Sequence, residues 1–236
     1  MLAFLMAVLF FASLSTVLFE LALTRVFSII LWYDYAFMAI SVAFFGLGIG
    51  SLLVHMQKDY GNSTRLRRSG MWRWLSMPQM TPAALAKKIT EHSIAYAISV
   101  PLFILAVALI PPDTSYIYVF YLLSSVPFFF AGFIMALVFY AMPRQISKLY
   151  FADLVGASSA ALMLDPLMLG LGAESVLLLT SLLVAGSAIV GMLLLLRNKR
   201  KAEPSEVMTK RSKISAAAVL AGLAVLLLVS SPAAMA

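Results

Sequence analysis

YIYVFYLLSSVPFFFAGFIMALVFYAM, residues 116–142, carries no charged side chain from end to end. A helix rises 1.5 Å per residue, so this run extends about 40 Å and is long enough to cross a hydrocarbon layer ~30 Å thick. Its uniform apolarity, without the alternation of an outer-membrane strand, predicts a helix rather than part of a barrel. Working outward, six more runs read the same way: residues 2–24, 35–54, 92–110, 149–171, 175–196 and the shorter, alanine-rich 214–229. The stretch from Arg25 to Trp32 reads as a continuation of the first helix at an angle. The expected fold is therefore all-α, a polytopic transmembrane bundle of about seven helices. Residues 1–206 form a six-helix module and residues 207–236 a further C-terminal unit.

Composition agrees. Of 236 residues, 63% are apolar and only 11% charged, whereas soluble domains carry about 25% charged residues. That balance excludes a water-soluble enzyme, and the high apolarity excludes a disordered chain. With no cysteine there is no disulfide, thiolate metal site or cysteine nucleophile. Two histidines, His55 and His92, are too few for a multi-histidine metal site. No metal and no cofactor is expected.

Lysine and arginine set the expected orientation. Lys58, Arg65, Arg67, Arg68, Arg73, Lys87 and Lys88 lie between or beside segments two and three. Arg144 and Lys148 lie between four and five, and Arg197, Lys199, Arg200, Lys201, Lys210, Arg211 and Lys213 between six and seven. Thus sixteen of the seventeen basic residues fall in alternate connections, and only Arg25 lies on the other side. The positive-inside rule then predicts an N-in, C-out chain. The net charge of +7 is explained by these topology determinants beside anionic lipid, so no nucleic-acid partner is expected. The opposite connections are short and carry Asp34, Pro111, Pro112, Asp113 and Glu174, as suits an external face. Trp32, Tyr33 and Tyr35 mark one membrane interface and Trp72 and Trp74 the other. Asn62-Ser63-Thr64 matches a glycosylation acceptor but falls on the predicted inner side.

The inner basic loop, residues 55–90, is the one sizeable polar stretch. Met71-Trp72-Arg73-Trp74-Leu75 suits the headgroup layer, and Thr81-Pro82 reads as an N-cap followed by proline at the first helical position. At the other end, Lys210-Arg211-Ser212-Lys213, an apolar core and Ala234-Met235-Ala236 follow the grammar of a secretory signal. Two readings stand for residues 207–236: a last transmembrane helix, or a signal-like segment after which an external soluble domain once followed.

Ionisable groups within spans are expensive and are functional candidates by default. Glu20 and Arg25 lie in or just past the first helix and are expected to pair, although a spacing of five is off the best same-face spacing. Asp153 lies near the inner end of the fifth segment. Asp165 lies deeper, followed by Pro166, which removes a backbone donor. For Asp165, a packing hydrogen bond and a substrate or proton contact are both open. Gly46, Gly48, Gly50 and Gly156 are read as helix-packing positions that let backbones approach. The glycine run in segment two lacks the strand and the Lys-Ser or Lys-Thr of a phosphate loop, and Gly170 and Gly172 end the fifth helix. Methionine and phenylalanine are read as bulk for core and lipid contact.

Two stretches carry a family resemblance. The first runs from Phe19-Glu20-Leu21-Ala22-Leu23-Thr24-Arg25 through Tyr35-Ala36-Phe37 to Phe45-Gly46-Leu47-Gly48-Ile49-Gly50-Ser51. The second is Leu149-Tyr150-Phe151-Ala152-Asp153-Leu154-Val155-Gly156. Both resemble the membrane region of bacterial spermidine-synthase-like proteins, in which a multi-helix membrane module is joined to a soluble Rossmann-type aminopropyltransferase domain. Glu20, Arg25, Tyr150, Asp153 and Gly156 match its distinguishing elements. The resemblance implies a module of a bacterial inner (plasma) membrane. No stretch of this chain is polar and long enough for the catalytic domain, so it implies no aminopropyl transfer here.

Two functions are expected to compete. One is a non-catalytic subunit or anchor that packs within a larger membrane complex or tethers an external soluble domain, its partners being lipid and other membrane subunits. The other is a carrier for a small cationic solute such as a polyamine, using Glu20, Asp153 and Asp165. A carrier commonly shows inverted repeats, but no internal repeat is legible and seven spans do not halve. An embedded enzyme is disfavoured because no nucleophile–base pair, metal cluster or phosphate cradle is present.

Overall fold

The computed structural model describes residues 1–30, 36–60, 82–111 and 116–199, with side chains beyond residue 189 and those of residues 30 and 57–60 left aside. Among the described residues there are six α-helices and no strand. They are α1 (Leu2–Ile30), α2 (Met38–Tyr60), α3 (Pro82–Leu109), α4 (Ile117–Ala141), α5 (Ile146–Leu171) and α6 (Ala173–Lys199). Helices α1 to α5 are each long and apolar enough to cross a membrane, and the apolar stretch described for α6, Ala173–Ile189, is shorter. The expected seventh segment, residues 214–229, lies outside the described residues, as do the aromatic belts at residues 32–35 and 72–74 and the expected N-cap at residue 81.

As expected, the first helix continues past Arg25: α1 runs unbroken to Ile30, and residues 31–32 of that stretch lie outside the described residues. Likewise α5 runs through Pro166 to Leu171, and α3 and α4 run through Pro101 and Pro127. Between α4 and α5 the chain makes one 3-10 turn, Pro143–Gln145. Helix α5 ends where Gly172 takes φ +79°, a left-handed conformation that favours glycine. Its N–H bonds the Met168 carbonyl at 3.0 Å, and α6 begins at the next residue.

Contacts between helices give their relative directions. Phe19 meets Phe128 and Phe27 meets Tyr121, so α1 and α4 are antiparallel. Ser13 reaches Asp153 and Arg25 reaches Asp165, a constant offset, so α1 and α5 are parallel. Gly46 lies over Ser125 to Phe129 and Gly50 over Phe129 to Phe133, so α2 and α4 are parallel. His92 of α3 stacks on Phe133, at the opposite end of α4 from Tyr121, while Phe103 lies with Phe27 and so on the Tyr121 side. All of this is satisfied by consecutive helices running in alternating directions. One end of the bundle then collects Lys87, Lys88, Arg144, Lys148, Arg197 and Lys199, and Arg25 lies toward the other.

Helices α1, α4, α3 and α6 form an antiparallel ring, in that order. The α1–α3 diagonal is bridged by side chains, with Tyr96 reaching Ser15 and Phe103 reaching Phe19 and Phe27. Outside the ring, α2 docks on α4 and α5 docks on α1. Exchanging the first three helices with the last three leaves every principal pairing unchanged and reverses every direction. Among the substantial pairings of the described residues, the minor contacts between α1 and α2 and between α5 and α6 break the exchange. The helix pairing is therefore nearly symmetric between the first three and the last three helices, with directions reversed. No internal repeat is legible in the sequence to match this symmetry of pairing. In lipid, packing positions accept any small or apolar residue that fits, so two halves can share a fold without a shared pattern of letters.

The core follows from this ring. Phe19, Phe27, Phe103, Phe120, Phe128 and Tyr121 are buried where α1, α3 and α4 meet. The rings of Phe19, Phe27, Phe103, Phe128 and Tyr121 pack edge to face, with Phe19 and Phe128 centroids 5.1 Å apart. This is the favoured geometry of aromatic quadrupoles.

Candidate functional site

Four intramembrane ionisable groups were singled out from the sequence, and the structure separates them. Arg25 does not pair with Glu20. Five residues turn a helix by about 140°, so the two side chains leave α1 on different sides. Arg25 instead places a guanidinium nitrogen 2.9 Å from Asp165 Oδ1, across the α1–α5 seam. The pair points outward, with side chains 56% and 71% exposed. Asp165 is thus on the flank of the bundle and not in its interior. Glu20 is half-buried, and its carbonyl accepts a hydrogen bond from Thr24 at 2.9 Å. Asp153 is half-buried on the α1 side of α5, where its carbonyl accepts the Ser13 hydroxyl at 2.9 Å. Glu20, Asp153 and Asp165 therefore stand apart along α1 and α5.

The glycines do different jobs. A Cβ on Gly46 would lie 2.6 Å from the Phe128 Cβ and 2.7 Å from the Ser125 carbonyl oxygen. One on Gly50 would strike the Phe129 carbonyl oxygen, and one on Gly156 the Phe10 carbonyl oxygen. These three positions let α2 and α5 lie backbone to backbone on α4 and α1. Gly48 meets nothing within 4 Å and takes no part in that contact. Gly132 of α4, not singled out from the sequence, does: a Cβ there would strike Leu47 of α2. The exchange of the first three helices with the last three relates these docks. Gly50 faces the carbonyl of one α4 residue and the N–H four residues on, and Gly156 faces the same two groups of α1.

A second constellation went unread in the sequence. Inside the ring, the Ser15 hydroxyl donates to the Thr180 carbonyl at 2.7 Å and lies 3.0 Å from the Tyr96 hydroxyl. All three residues are fully buried. Nearby, Ser93 and Ser187 share a hydrogen bond of 3.2 Å between α3 and α6. His92 is also fully buried; its ring lies flat on Phe133, 3.9 Å between centroids, and its Nδ1 bonds the Lys88 carbonyl at 2.8 Å. Ser93 and Tyr96 are three residues apart, a same-face helical spacing. That spacing is the signal that could have found them. Chemically, these are hydroxyls joined across helices where no water can serve them, the usual polar glue of membrane bundles.

Among the described residues, no three histidine, aspartate or glutamate side chains gather so as to hold a metal. Compared with protein-family models, with curated proteins and with solved structures, the chain matches none.

Proposed function

We propose that this chain is a non-catalytic module of a bacterial inner membrane, N-terminus inside, that works packed against another membrane protein. One observation carries the reading. Helix α5 buries only 17% of its most apolar window, against 61% for α1, and its bare flank carries the Arg25–Asp165 pair. A charged pair on a surface that includes exposed Leu162 and Leu169 is unfavourable toward lipid, and a protein neighbour relieves it. Between α1, α3, α4 and α6 the described interior holds buried phenylalanines and paired hydroxyls, which suits a scaffold. The sequence resemblance to spermidine-synthase-like membrane regions fits a module of this kind. The test is purification from native membranes in a mild detergent. A membrane protein recovered in stoichiometric amount supports the reading, and a lone monomer under every mild condition overturns it.

The near-symmetric pairing of the two halves favours a second reading, a carrier for a small cation such as a polyamine. Three-plus-three inverted repeats build each six-helix half of a large class of secondary transporters. A single copy would then be half of a path completed by a second six-helix unit. Spermidine uptake into proteoliposomes tests this; the absence of uptake by the assembled protein overturns it.

A further inference from the structure

The outward-facing ion pair identifies the neighbour more narrowly than the functional reading does. On α5, Leu154, Ser158, Ala161 and Asp165 follow at spacings of four, three and four residues, and all four are exposed. They form one stripe along the bare flank. Ser158 and Ala161 are small, and the Ser158 hydroxyl is already turned onto its own helix at the Leu154 carbonyl. A second helix can therefore approach closely at this level without stranding a polar group. Asp165 closes the stripe about 9 Å inside the end of α5, at a helical rise of 1.5 Å per residue.

Arg25 and Asp165 together are electrically neutral, so a lone charge on a partner gains little from them. Their complement is another such pair turned round. The strong one-sided bias of lysine and arginine sets one orientation for every copy, so a second copy carries its pair at the same depth. A two-fold axis along the membrane normal then brings cation to anion twice, the self-complementarity that an isologous interface demands. Residues 214–229 of this chain offer no charge to meet the pair, which makes them a poorer occupant of this flank.

We propose that the outward flank of α5, with Arg25 of α1 at its rim, is a two-fold interface with a second copy of this chain, in which Arg25 of each copy lies against Asp165 of the other. This rests on the proposed packing against a membrane protein and names that protein.

The natural chain has no cysteine, so Ser158→Cys introduces a sole thiol. Oxidation in native membranes should yield a covalent dimer, and the same treatment of Ser51→Cys, on the exposed face of α2, at least tenfold less. In the Ser158→Cys background, Arg25→Asp alone or Asp165→Arg alone should lower dimer yield about tenfold. The double variant should restore it. Co-expression of the two single variants with different tags should give mixed dimers in clear excess over either homodimer, because only the mixed pair has alternating charges. Mixed dimers at or below the statistical fraction overturn the proposal even if every variant folds. Cross-linking of Ser158→Cys to a different protein overturns it while leaving the accessory reading intact. A chain that neither cross-links nor co-purifies with anything overturns both. A cross-linked dimer that takes up spermidine keeps the interface and replaces the accessory reading with the carrier.

Discussion

The Tyr96 hydroxyl reaches across the ring of helices to within 3.0 Å of the Ser15 hydroxyl, 81 residues earlier in the chain. Because Ser15 also donates to the Thr180 carbonyl, one small side chain ties α1 to both α3 and α6. Tyr96→Phe removes only the hydroxyl. It should destabilise the bundle by about 0.6 kcal/mol, the average for an interhelical hydrogen bond in a membrane protein. Tyr96→Ala also empties the centre of the ring and should cost about 3 kcal/mol or more. Unfolding in mixed micelles measures both. A double-mutant cycle with Ser15→Ala should show that the Tyr96→Phe effect largely vanishes once Ser15 is gone.

Gly50 and Gly48 sit two residues apart on α2 and make opposite predictions. Gly50→Ala drives a methyl into the Phe129 carbonyl and should destabilise by about 1–3 kcal/mol, as overpacking does. Gly48→Ala meets open space and should be neutral or stabilising, by up to about 1 kcal/mol from helix propensity. Comparing the two in one unfolding assay distinguishes docking glycines from incidental ones.

His92 packs as a flat ring on Phe133. His92→Phe keeps that shape and should cost about 1 kcal/mol through the lost bond to the Lys88 carbonyl. His92→Ala leaves a hole beside Phe133 and should cost about 2–4 kcal/mol. If the alanine variant is no less stable than the phenylalanine variant, the ring is not a packing element.

Because the natural chain has no cysteine, sidedness can be read with single thiols. Arg144→Cys, at the cationic end of the bundle, should react with a membrane-impermeant maleimide only from the inside. Pro111→Cys, past the end of α3, should react only from the outside. The reverse pattern would overturn the N-in orientation.

Part of this architecture was legible without coordinates. Charge-free runs such as residues 116–142 are helical because lipid leaves no other partner for the backbone. Arg144, Lys148, Lys87 and Lys88 alternate with the helices as the topology rule expects, and alternating helix directions place them at one end. Asp165 was legible as unusual, but not its partner. Arg25 is 140 residues away, and the nearer Glu20 competed for it on paper. Gly48 looked the same as Gly46 and Gly50, because a glycine run does not announce which member faces a neighbour. Ser15, Tyr96 and His92 were hidden among residues that merely suit an apolar helix.

By itself the chain determined that it is helical, how its long apolar runs are divided and where its cations gather. Those outcomes depend on local hydrophobicity and on each residue's own interaction with lipid or water. Only the tertiary structure decided that α2 and α5 dock on α4 and α1, that the pairings of the first three helices mirror those of the last three, and that Arg25 finds Asp165. Helix-to-helix choice in a bilayer has no hydrophobic force to direct it and is settled by shape, by where a missing Cβ permits contact, and by a few long-range polar bonds.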